Sequence, residues 1–529
     1  MWDSKEKGDV PVKKIIALML IAVLLLCGCQ QVATPATTPG AQSGDAQQEA
    51  VACTHTDGNS DLTCDSCGNS VLVTFEFYSV NDLHGKLTDG DNQPGVEEMT
   101  TFIKQRRAEN ENVILVSAGD MWQGSAASNL TKGNLTTEWM NDIGFDAMVM
   151  GNHEYDWGGE FVSANQELAQ FPFLAINIYE RSTNQRLDYC EASTLIDRNG
   201  VQIGIIGAIG DCYSSIASDK VTDIYFKTGN DLTALVKAES EALKEQGADF
   251  IVYLIHDGFE NSNEGVKNVS GNDLDFYYDT ELSNGYVDLV FEAHTHQRYI
   301  LQDEYDVYHL QSGGENRRGL SSVEVTFNTV TGEYTQLIPS HTEDSTYTSL
   351  AADPIITTLL EKYAAEVNLG EQVVGYNARQ RYSAELQQLV ADLYYDVGME
   401  AWGDQYDIVL GGGFISARSP YNLSSGEVNY GMVQSIFPFD NQLHLCSISG
   451  RDLKDKFFET DNDRYFIAYG EYGESVRKNI DPNATYYIVV DSYTSSYRYN
   501  NLTVVEEYLD GVYARDLICD YISTGAYED

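Results

Sequence analysis

Five short polar motifs lie between residues 81 and 296, and each directly follows an apolar run. Every run is rich in β-branched or aromatic residues, which is typical of a buried strand. Because open α/β sheets place their ligands at the carboxyl ends of strands, one sheet with these loops on one edge would bring the motifs together. The motifs are Asn81-Asp82-Leu83-His84-Gly85, Gly119-Asp120, Gly151-Asn152-His153-Glu154-Tyr155-Asp156, His256-Asp257-Gly258 and Ala293-His294-Thr295-His296.

Most of the polar side chains in these motifs are types that bind first-row divalent metal ions. Imidazole suits zinc and its neighbours, and carboxylate suits harder ions such as manganese. Two ions and two anionic ligands would leave about two positive charges, enough to attract a phosphate and to acidify a bound water. The set therefore predicts a two-metal centre with one Asp as the bridge. The candidate ligands are Asp82, His84, Asp120, Asn152, His256, His294 and His296.

His153 and Asp156 form a second, non-ligand pair in the third motif. A carboxylate that holds a protonated imidazole can aim it at the charge that develops on a reacting phosphate. Each residue also has an ordinary structural interpretation, because Asp-Gly and Asn-His pairs are common in turns. Five motifs in the same context favour catalysis over that alternative.

Length and charge limit the class of protein. The chain has 529 residues, which predicts two or three domains. Asp and Glu number 81 against 32 Lys and Arg, a formal net charge of −49. Such a charge argues against nucleic-acid polymers as partners, and it repels free phosphates unless bound metal ions reverse the field locally.

The N-terminus has the features of a targeting segment rather than of a fold. Two lysines precede a short apolar run that ends in Leu26-Cys27-Gly28-Cys29, which resembles a bacterial lipoprotein signal over residues 1–28. Lipidation at Cys29 would anchor the protein on the extracellular face of the cell membrane, with residues 29–52 as a flexible tether. An uncleaved anchor helix is the alternative, and it also leaves the folded part outside the membrane.

Residues 53–68 combine metal-binding side chains with a run of acidic residues. The Cys-x-x-Cys half has the usual spacing for structural zinc, whereas the Cys-x-His half is tighter than usual. The acidic residues resemble the start of a calcium loop, but Leu62 stands where an EF-hand needs Gly and Gly68 where it needs Glu. A solvated linker with a local disulfide is a third interpretation, and zinc is favoured. The candidate zinc ligands are Cys53, His55, Cys64 and Cys67.

In this order the five motifs resemble those of calcineurin-like metallophosphoesterases, and more narrowly those of the 5′-nucleotidase family. That family includes UDP-sugar hydrolases and 2′,3′-cyclic-nucleotide phosphodiesterases. The resemblance implies an αββα sandwich of the metallophosphoesterase type for residues 71–341. It also implies a linker helix at 350–368 and a second, smaller α/β domain with a mixed sheet, for substrate binding, at 371–529.

The resemblance also implies how the ligands are shared. One ion, which is manganese, zinc or cobalt, would be held by Asp82, His84 and His296. The other would be held by Asn152, His256 and His294, with Asp120 between them. The same resemblance makes His153 and Asp156 the catalytic dyad.

The C-terminal part follows the family pattern less closely. Ser416 stands where the family has a phosphate-binding Arg, and Arg418, two residues later, is the candidate replacement. Phe439 and Asn441 match the family's Pro-Phe-x-Asn, and Tyr493 matches its second stacking aromatic. Two such rings would sandwich a nucleobase, whereas packing in the core is the alternative for both.

We therefore expect an extracellular two-metal phosphoesterase that hydrolyses nucleoside 5′-monophosphates or related nucleotides by attack of a metal-bridging hydroxide. Two rivals stay open. The same chemistry on non-nucleotide phosphate or sulfur esters is motivated by the altered residues 411–418. A surface binding protein with a relic metal domain fits the intact ligand set less well. The protein is expected to be a monomer that meets the membrane only through its lipid anchor.

Overall fold

The computed structural model describes residues 55–89, 94–259, 282–315, 319–414, 422–459, 465–496 and 501–525. The predictions for the signal segment, for Cys29 and Cys53, and for Arg418 lie outside these residues. The residues from His55 onward form one compact unit.

The first sheet contains six strands and is mixed. The last four strands in the spatial order given below run parallel to one another. Helices connect them along the chain, because apolar runs alternate with helical segments in the sequence. The remaining two strands are antiparallel and close the near edge. In spatial order the strands are Tyr334–Thr342, Leu320–Asn328, Leu72–Val80, Val113–Ser117, Ala147–Val149 and Phe173–Leu174.

The second sheet also has six strands, and parallel strands occupy its centre. Its central strand, Phe250–His256, is buried at every position, as expected for a strand covered on both faces. In spatial order the strands are Arg298–Gln302, Tyr308–Ser312, Leu289–Phe291, Phe250–His256, Val201–Ile209 and Ser193–Arg198.

An apolar layer between the two sheets holds them together. Phe75 and Phe77 of the first sheet and Phe250 and Phe291 of the second are fully buried in it. Each such side chain contributes about 1.5–3 kcal/mol by leaving water. Helices cover both outer faces, so the sequence prediction of an αββα sandwich is confirmed. The helices are Glu97–Glu109, Ala126–Leu130, Asn134–Ile143, Gly159–Leu168 and Asn230–Glu245.

The segment predicted as one linker helix contains two short helices, Ile355–Lys362 and Ala364–Gly370. Tyr363 between them has ψ of 24°, which interrupts the helical hydrogen bonding. A two-stranded sheet follows, formed by Val373–Asn377 and Gly426–Asn429.

The C-terminal part is built on a five-stranded mixed sheet, in agreement with the predicted fold class. The long helix Ser383–Trp402 packs on it through Leu386, Val390 and Tyr394. Among the described residues, no helix is both long and apolar enough to cross a membrane. The strands in order are Tyr465–Ala468, Ile408–Phe414, Thr485–Asp491, Leu443–Ser449 and Thr503–Glu507, and the other helices are Tyr430–Ile436, Gly450–Leu453, Glu471–Lys478, Ser492–Ser496 and Ala514–Thr524.

Candidate active site

The five polar motifs come together at the carboxyl ends of strands, but from two sheets and not from one. The expectation of a single sheet was wrong. The first three motifs follow strands of the first sheet, and the last two follow Phe250–His256 and Leu289–Phe291 of the second. The packed sheets present these strand ends side by side. Hydrogen bonds then join the loops across the sheets, for example from the backbone N–H of His294 to the carboxylate of Asp82 at 3.1 Å.

Asp82, His84 and His296 form the first ligand group, with one ligand atom from each within 4.8 Å of the others. The Nε2 atoms of His84 and His296 lie 3.1 Å apart. Nδ1 of His84 lies 2.8 Å from the backbone oxygen of Gln123, which can only accept a hydrogen bond. The proton of neutral His84 is therefore on Nδ1, and the Nε2 lone pair points toward His296, as in metal-binding histidines.

Asp120, His256 and His294 form the second ligand group, also within 4.8 Å. Nε2 of His256 lies 3.3 Å from the Asp120 carboxylate and 3.1 Å from the Asn152 side-chain oxygen. Nδ1 of His256 faces the backbone oxygen of Ala118 at 2.8 Å, which fixes the ring in the same way as His84. All seven predicted ligands are thus brought together, and the nitrogen and oxygen donors suit divalent metal ions.

The backbone of the ligand loops is strained. Five of the seven predicted ligands have φ between 49° and 67°, a region that non-glycine residues seldom occupy. Each such residue costs about 1–3 kcal/mol, so the surrounding fold must hold these loops in place. Glycine would relieve the strain but would supply no ligand atom. The five residues are Asp82, His84, Asp120, His294 and His296.

The charges of the second group favour an ionised carboxylate. Burial by itself raises the pKa of Asp120. The electrostatic attraction of His256 and, next, of His153 outweighs this effect, so the pKa lies well below its usual range. Burial lowers the pKa of His256, but attraction by Asp120 raises it to about 10. Asp120 is therefore an anion throughout the neutral range, as an anionic metal ligand must be.

Glu154 is a supporting residue that our reading of the sequence missed. Its buried carboxylate accepts hydrogen bonds from the backbone N–H groups of Asp120, Met121 and Gly151, each at 2.8 Å. Burial, and next the charge of Asp120, raise the pKa of Glu154 to about 7. Gly151 must be glycine here, since an added Cβ would lie 2.2 Å from the Asp120 carboxylate. The Glu154 side chain therefore positions the loop that presents Asp120.

His153 and Asp156 form the predicted pair, with 2.6 Å between Nδ1 and the carboxylate. His153 begins the 3-10 turn His153–Tyr155, which follows the strand Ala147–Val149, and Asp156 is the residue directly after this turn. The backbone N–H of His153 donates to the other oxygen of Asp120 at 2.8 Å. This contact fixes the pair directly beside the second ligand group.

A cavity of about 270 Å³ opens over both ligand groups. It is lined by His153, Asp156 and His294 of the catalytic part and by Phe439, Asn441 and Tyr493 of the C-terminal part. The ring of Phe439 stacks on His153 with centroids 6.1 Å apart. The structure thus places the predicted nucleoside contacts next to the dyad, and their roles stay predictions.

Lys220 is a second residue that the sequence analysis missed, because no motif marks it. It ends the 3-10 turn Ser218–Lys220, and its Nζ lies 3.3 Å from Asp219. Within the described part of the chain, it is the only Lys or Arg that lines the cavity. Arg418, the predicted phosphate contact, lies outside the described residues.

A buried ion pair anchors the loop that carries Phe439. Arg515 is 4% exposed and donates to the backbone oxygen of Phe439 at 3.2 Å and to the Asp440 carboxylate at 2.6 Å. Lys132, from the catalytic part, contacts the other Asp440 oxygen at 3.1 Å. Burial by itself raises the pKa of Asp440. The positive charges of Arg515 and, next, of Lys132 outweigh this effect and lower the pKa below its usual range.

Comparisons with known proteins agree with this geometry. The family profile described as calcineurin-like phosphoesterase matches residues 75–298. The chain is 26% identical over 468 residues to the protein UshA of Yersinia enterocolitica, covering 77% of this chain and 82% of UshA. It is 27% identical over 417 residues to endonuclease YhcR of Bacillus subtilis, covering 72% of this chain but only 32% of that protein's length.

A solved structure, the 5′-nucleotidase precursor of Thermus thermophilus, shares the fold across both parts of the chain. It superposes with a TM-score of 0.67 over 85% of this chain and 96% of its own, at 17% identity. The matched profile covers all five polar motifs, and the structural likeness extends through the C-terminal sheet. Residues 75–298 are therefore a calcineurin-like phosphoesterase domain, and the chain as a whole is similar to 5′-nucleotidases in sequence and in fold.

Proposed function

We propose that this protein is a two-metal phosphoesterase that hydrolyses nucleoside 5′-monophosphates or related nucleotides, among them UDP-sugars and 2′,3′-cyclic nucleotides. One observation carries the proposal. A single cavity joins residues of both metal-ligand groups, the His153–Asp156 pair and the two aromatic side chains Phe439 and Tyr493. Such a cavity can bind a phosphate and a flat base at the same time.

The donor set fits two divalent ions, which would be manganese, zinc or cobalt. Bound there, the ions would supply positive charge for the phosphate and a water acidic enough to act as nucleophile at neutral pH. Asp120 is our choice for the shared ligand, because it contacts His256 through one oxygen and the His153 backbone through the other.

His153 would act on the phosphate itself. Because Asp156 accepts from Nδ1 at 2.6 Å, the ring is held with Nε2 available to a substrate oxygen. A proton at Nε2 would stabilise the charge that develops on the phosphate and on the leaving oxygen. Asp156 keeps the ring oriented and favours its protonated form.

The C-terminal wall would select the substrate. Phe439 and Tyr493 would stack on the base, worth about 1–3 kcal/mol for each stacked base, and Asn441 would contact its polar edge. Ser416 stands at the position of the family's Arg in the sequence, and Lys220, which lines the cavity, would contribute a positive charge beside the phosphate. Arg418 stays the second candidate for that contact.

We also propose the cellular setting from the sequence. Cys29 would carry the lipid that anchors a monomer to the extracellular face of the membrane. Residues 71–341 would then be the catalytic domain, 350–368 the linker and 371–529 the substrate-binding domain. Nucleotides reaching the cell surface would be the substrates.

The test is product formation by metal-depleted protein to which manganese, zinc or cobalt is returned, followed by chromatography for every substrate and also by phosphate release for the monoesters. The panel is AMP, UMP, UDP-glucose, 2′,3′-cyclic AMP, a plain phosphomonoester and a DNA oligonucleotide. We expect turnover that depends on added metal and that is faster for nucleotides than for the plain ester. Equal turnover of all small esters would overturn the nucleotide assignment but keep the metal chemistry. Cleavage of DNA in preference to nucleotides would also overturn that assignment.

A further inference from the structure

Residues 55–70 keep a defined shape with almost no hydrophobic core. Cys64 is the only buried side chain among them, at 2% exposure. The segment nevertheless closes on itself, with a bridge between Thr63 and Ser70 and a hydrogen bond from the Cys64 N–H to the Asn69 oxygen at 2.7 Å. A segment with so little apolar burial needs another source of stability, such as a metal ion or a disulfide.

Three ligand side chains converge inside this segment. One ligand atom each from His55, Cys64 and Cys67 lies within 4.8 Å of the other two. The Cys67 sulfur is 3.8 Å from Nδ1 of His55. Ideal zinc–ligand bond lengths in a tetrahedron place such atoms roughly 3.6–3.8 Å apart.

The turn between the two cysteines has the geometry that a chelating Cys-x-x-Cys needs. The Gly68 N–H donates to the Cys64 oxygen at 2.8 Å, and Gly68 has φ of 75°. That backbone conformation favours glycine and lets the chain reverse directly after Cys67. Both sulfur atoms therefore face the same side as His55.

We propose that His55, Cys64 and Cys67 bind one zinc ion that fixes residues 55–70 ahead of the strand Leu72–Val80. Two thiolates and an imidazole are soft and borderline donors, which select zinc over calcium or magnesium. Three protein ligands leave one tetrahedral position, for water or a further side chain. Cys53, the fourth residue suggested by the sequence, lies outside the described residues. The proposal is independent of the hydrolytic function.

The acidic residues of the segment have a different role, which accounts for them without calcium. The Asp57 carboxylate accepts from the N–H groups of Asp61 at 3.0 Å and Leu62 at 2.9 Å. The Asp65 carboxylate accepts from the Gly58 N–H at 2.7 Å. These carboxylates close turns of their own loop. The calcium interpretation is therefore not needed to explain them.

Cobalt substitution of the full chain tests the proposal. Thiolate-bound tetrahedral cobalt gives a sulfur-to-metal charge-transfer band, whereas the candidate catalytic ligands are nitrogen and oxygen atoms that give none. We expect the band in wild type, its loss in Cys64→Ser and Cys67→Ser, and its retention in the matched control Cys190→Ser, which changes another buried cysteine. Zinc added to the cobalt protein should remove the band.

Loss of the band supports the zinc site only if the Cys64→Ser and Cys67→Ser proteins are folded, and phosphate release tests this. Phosphate release by Cys64→Ser and Cys67→Ser should match wild type, because neither residue lines the catalytic cavity. A wild-type protein without the band, or a band that survives in Cys64→Ser, would overturn the zinc site. A thiol count that shows a Cys64–Cys67 disulfide in the isolated protein would overturn it as well.

Discussion

The two walls of the catalytic cavity are built in different ways. The metal-binding wall consists of strand ends that emerge from a fully buried core, and its ligands Asp82 and Asp120 are at most 1% exposed. The second wall, here called the recognition wall, consists of a loop around Phe439 and a short helix, Ser492–Ser496, that contains Tyr493. The loop is held by one buried guanidinium, Arg515, and a contact to Lys132.

Because of this difference, we expect the two walls to have separate roles, the first in catalysis and the second in substrate recognition. A strained loop keeps its conformation only where many surrounding contacts hold it. We therefore expect the metal-binding wall to tolerate few amino-acid substitutions. The recognition wall rests on a few polar contacts and on partly buried rings outside the core, so its residues can change without loss of the core. We therefore expect substitutions on the first wall to abolish turnover and those on the second to alter substrate preference.

The largest effect should follow Asp120→Ala. Removal of the carboxylate takes away a metal ligand and the partner of His256, so turnover of every ester should fall to background. Metal content of the purified protein, measured by mass spectrometry, should fall with it. Asp404→Ala, an exposed site in the C-terminal part, is the control and should behave as wild type. Full turnover and a metal content equal to that of wild type in Asp120→Ala would contradict the role assigned to the metal-binding wall.

His153→Ala should act on catalysis alone. Loss of a positioned acid lowers kcat by about 10²–10⁴-fold, while both metal ions stay bound because His153 belongs to neither ligand group. The measurement is kcat for AMP and for a plain phosphomonoester, together with metal content. A similar fall is expected for both substrates. Loss of metal from this variant would reassign His153 as a ligand.

Phe439→Ala should separate recognition from chemistry. Loss of one stacking face should raise KM for AMP by roughly tenfold to a hundredfold and leave the plain ester unchanged. Tyr376→Ala, an aromatic residue 55% exposed elsewhere in the C-terminal part, is the matched control. Because Phe439 also stacks on His153, kcat must be followed. An equal fall in kcat for both substrates would show that the ring supports the dyad instead of the base.

The smallest effect on kcat is expected from Asp440→Asn, because the Asp440 carboxylate, although it lines the cavity, is engaged by Arg515 and Lys132. Its pKa is lowered in the fold, so its ion pair stabilises the protein above the usual carboxyl pKa of about 4. That stability is lost as pH falls through the lowered value. The variant should lower the free energy of unfolding by about 2 kcal/mol near neutral pH, and the difference should shrink in acid. A difference that does not vary with pH would contradict the ion pair.

Much of the metal-binding wall was predictable because its signals are local. An apolar run that ends in His, Asp or Asn marks a strand end, and the types of side chain limit the metal chemistry. The same logic predicted His153 with Asp156, which are three residues apart and meet within one turn. It could not show that two sheets share the motifs, because strand order depends on long-range pairing such as Leu72 with Asn328.

The residues that support the site could not be predicted from local sequence patterns. Glu154 acts through three backbone N–H groups, and backbone groups carry no sequence signal. Arg515 and Lys132 meet Asp440 from 75 and 308 residues away, and Lys220 reaches the cavity from an unremarkable turn. The amino-acid sequence by itself thus determined which atoms can bind metal and move protons. Only the tertiary structure decided which distant side chains hold them in place, because those contacts exist only after the sheets and the C-terminal part have packed.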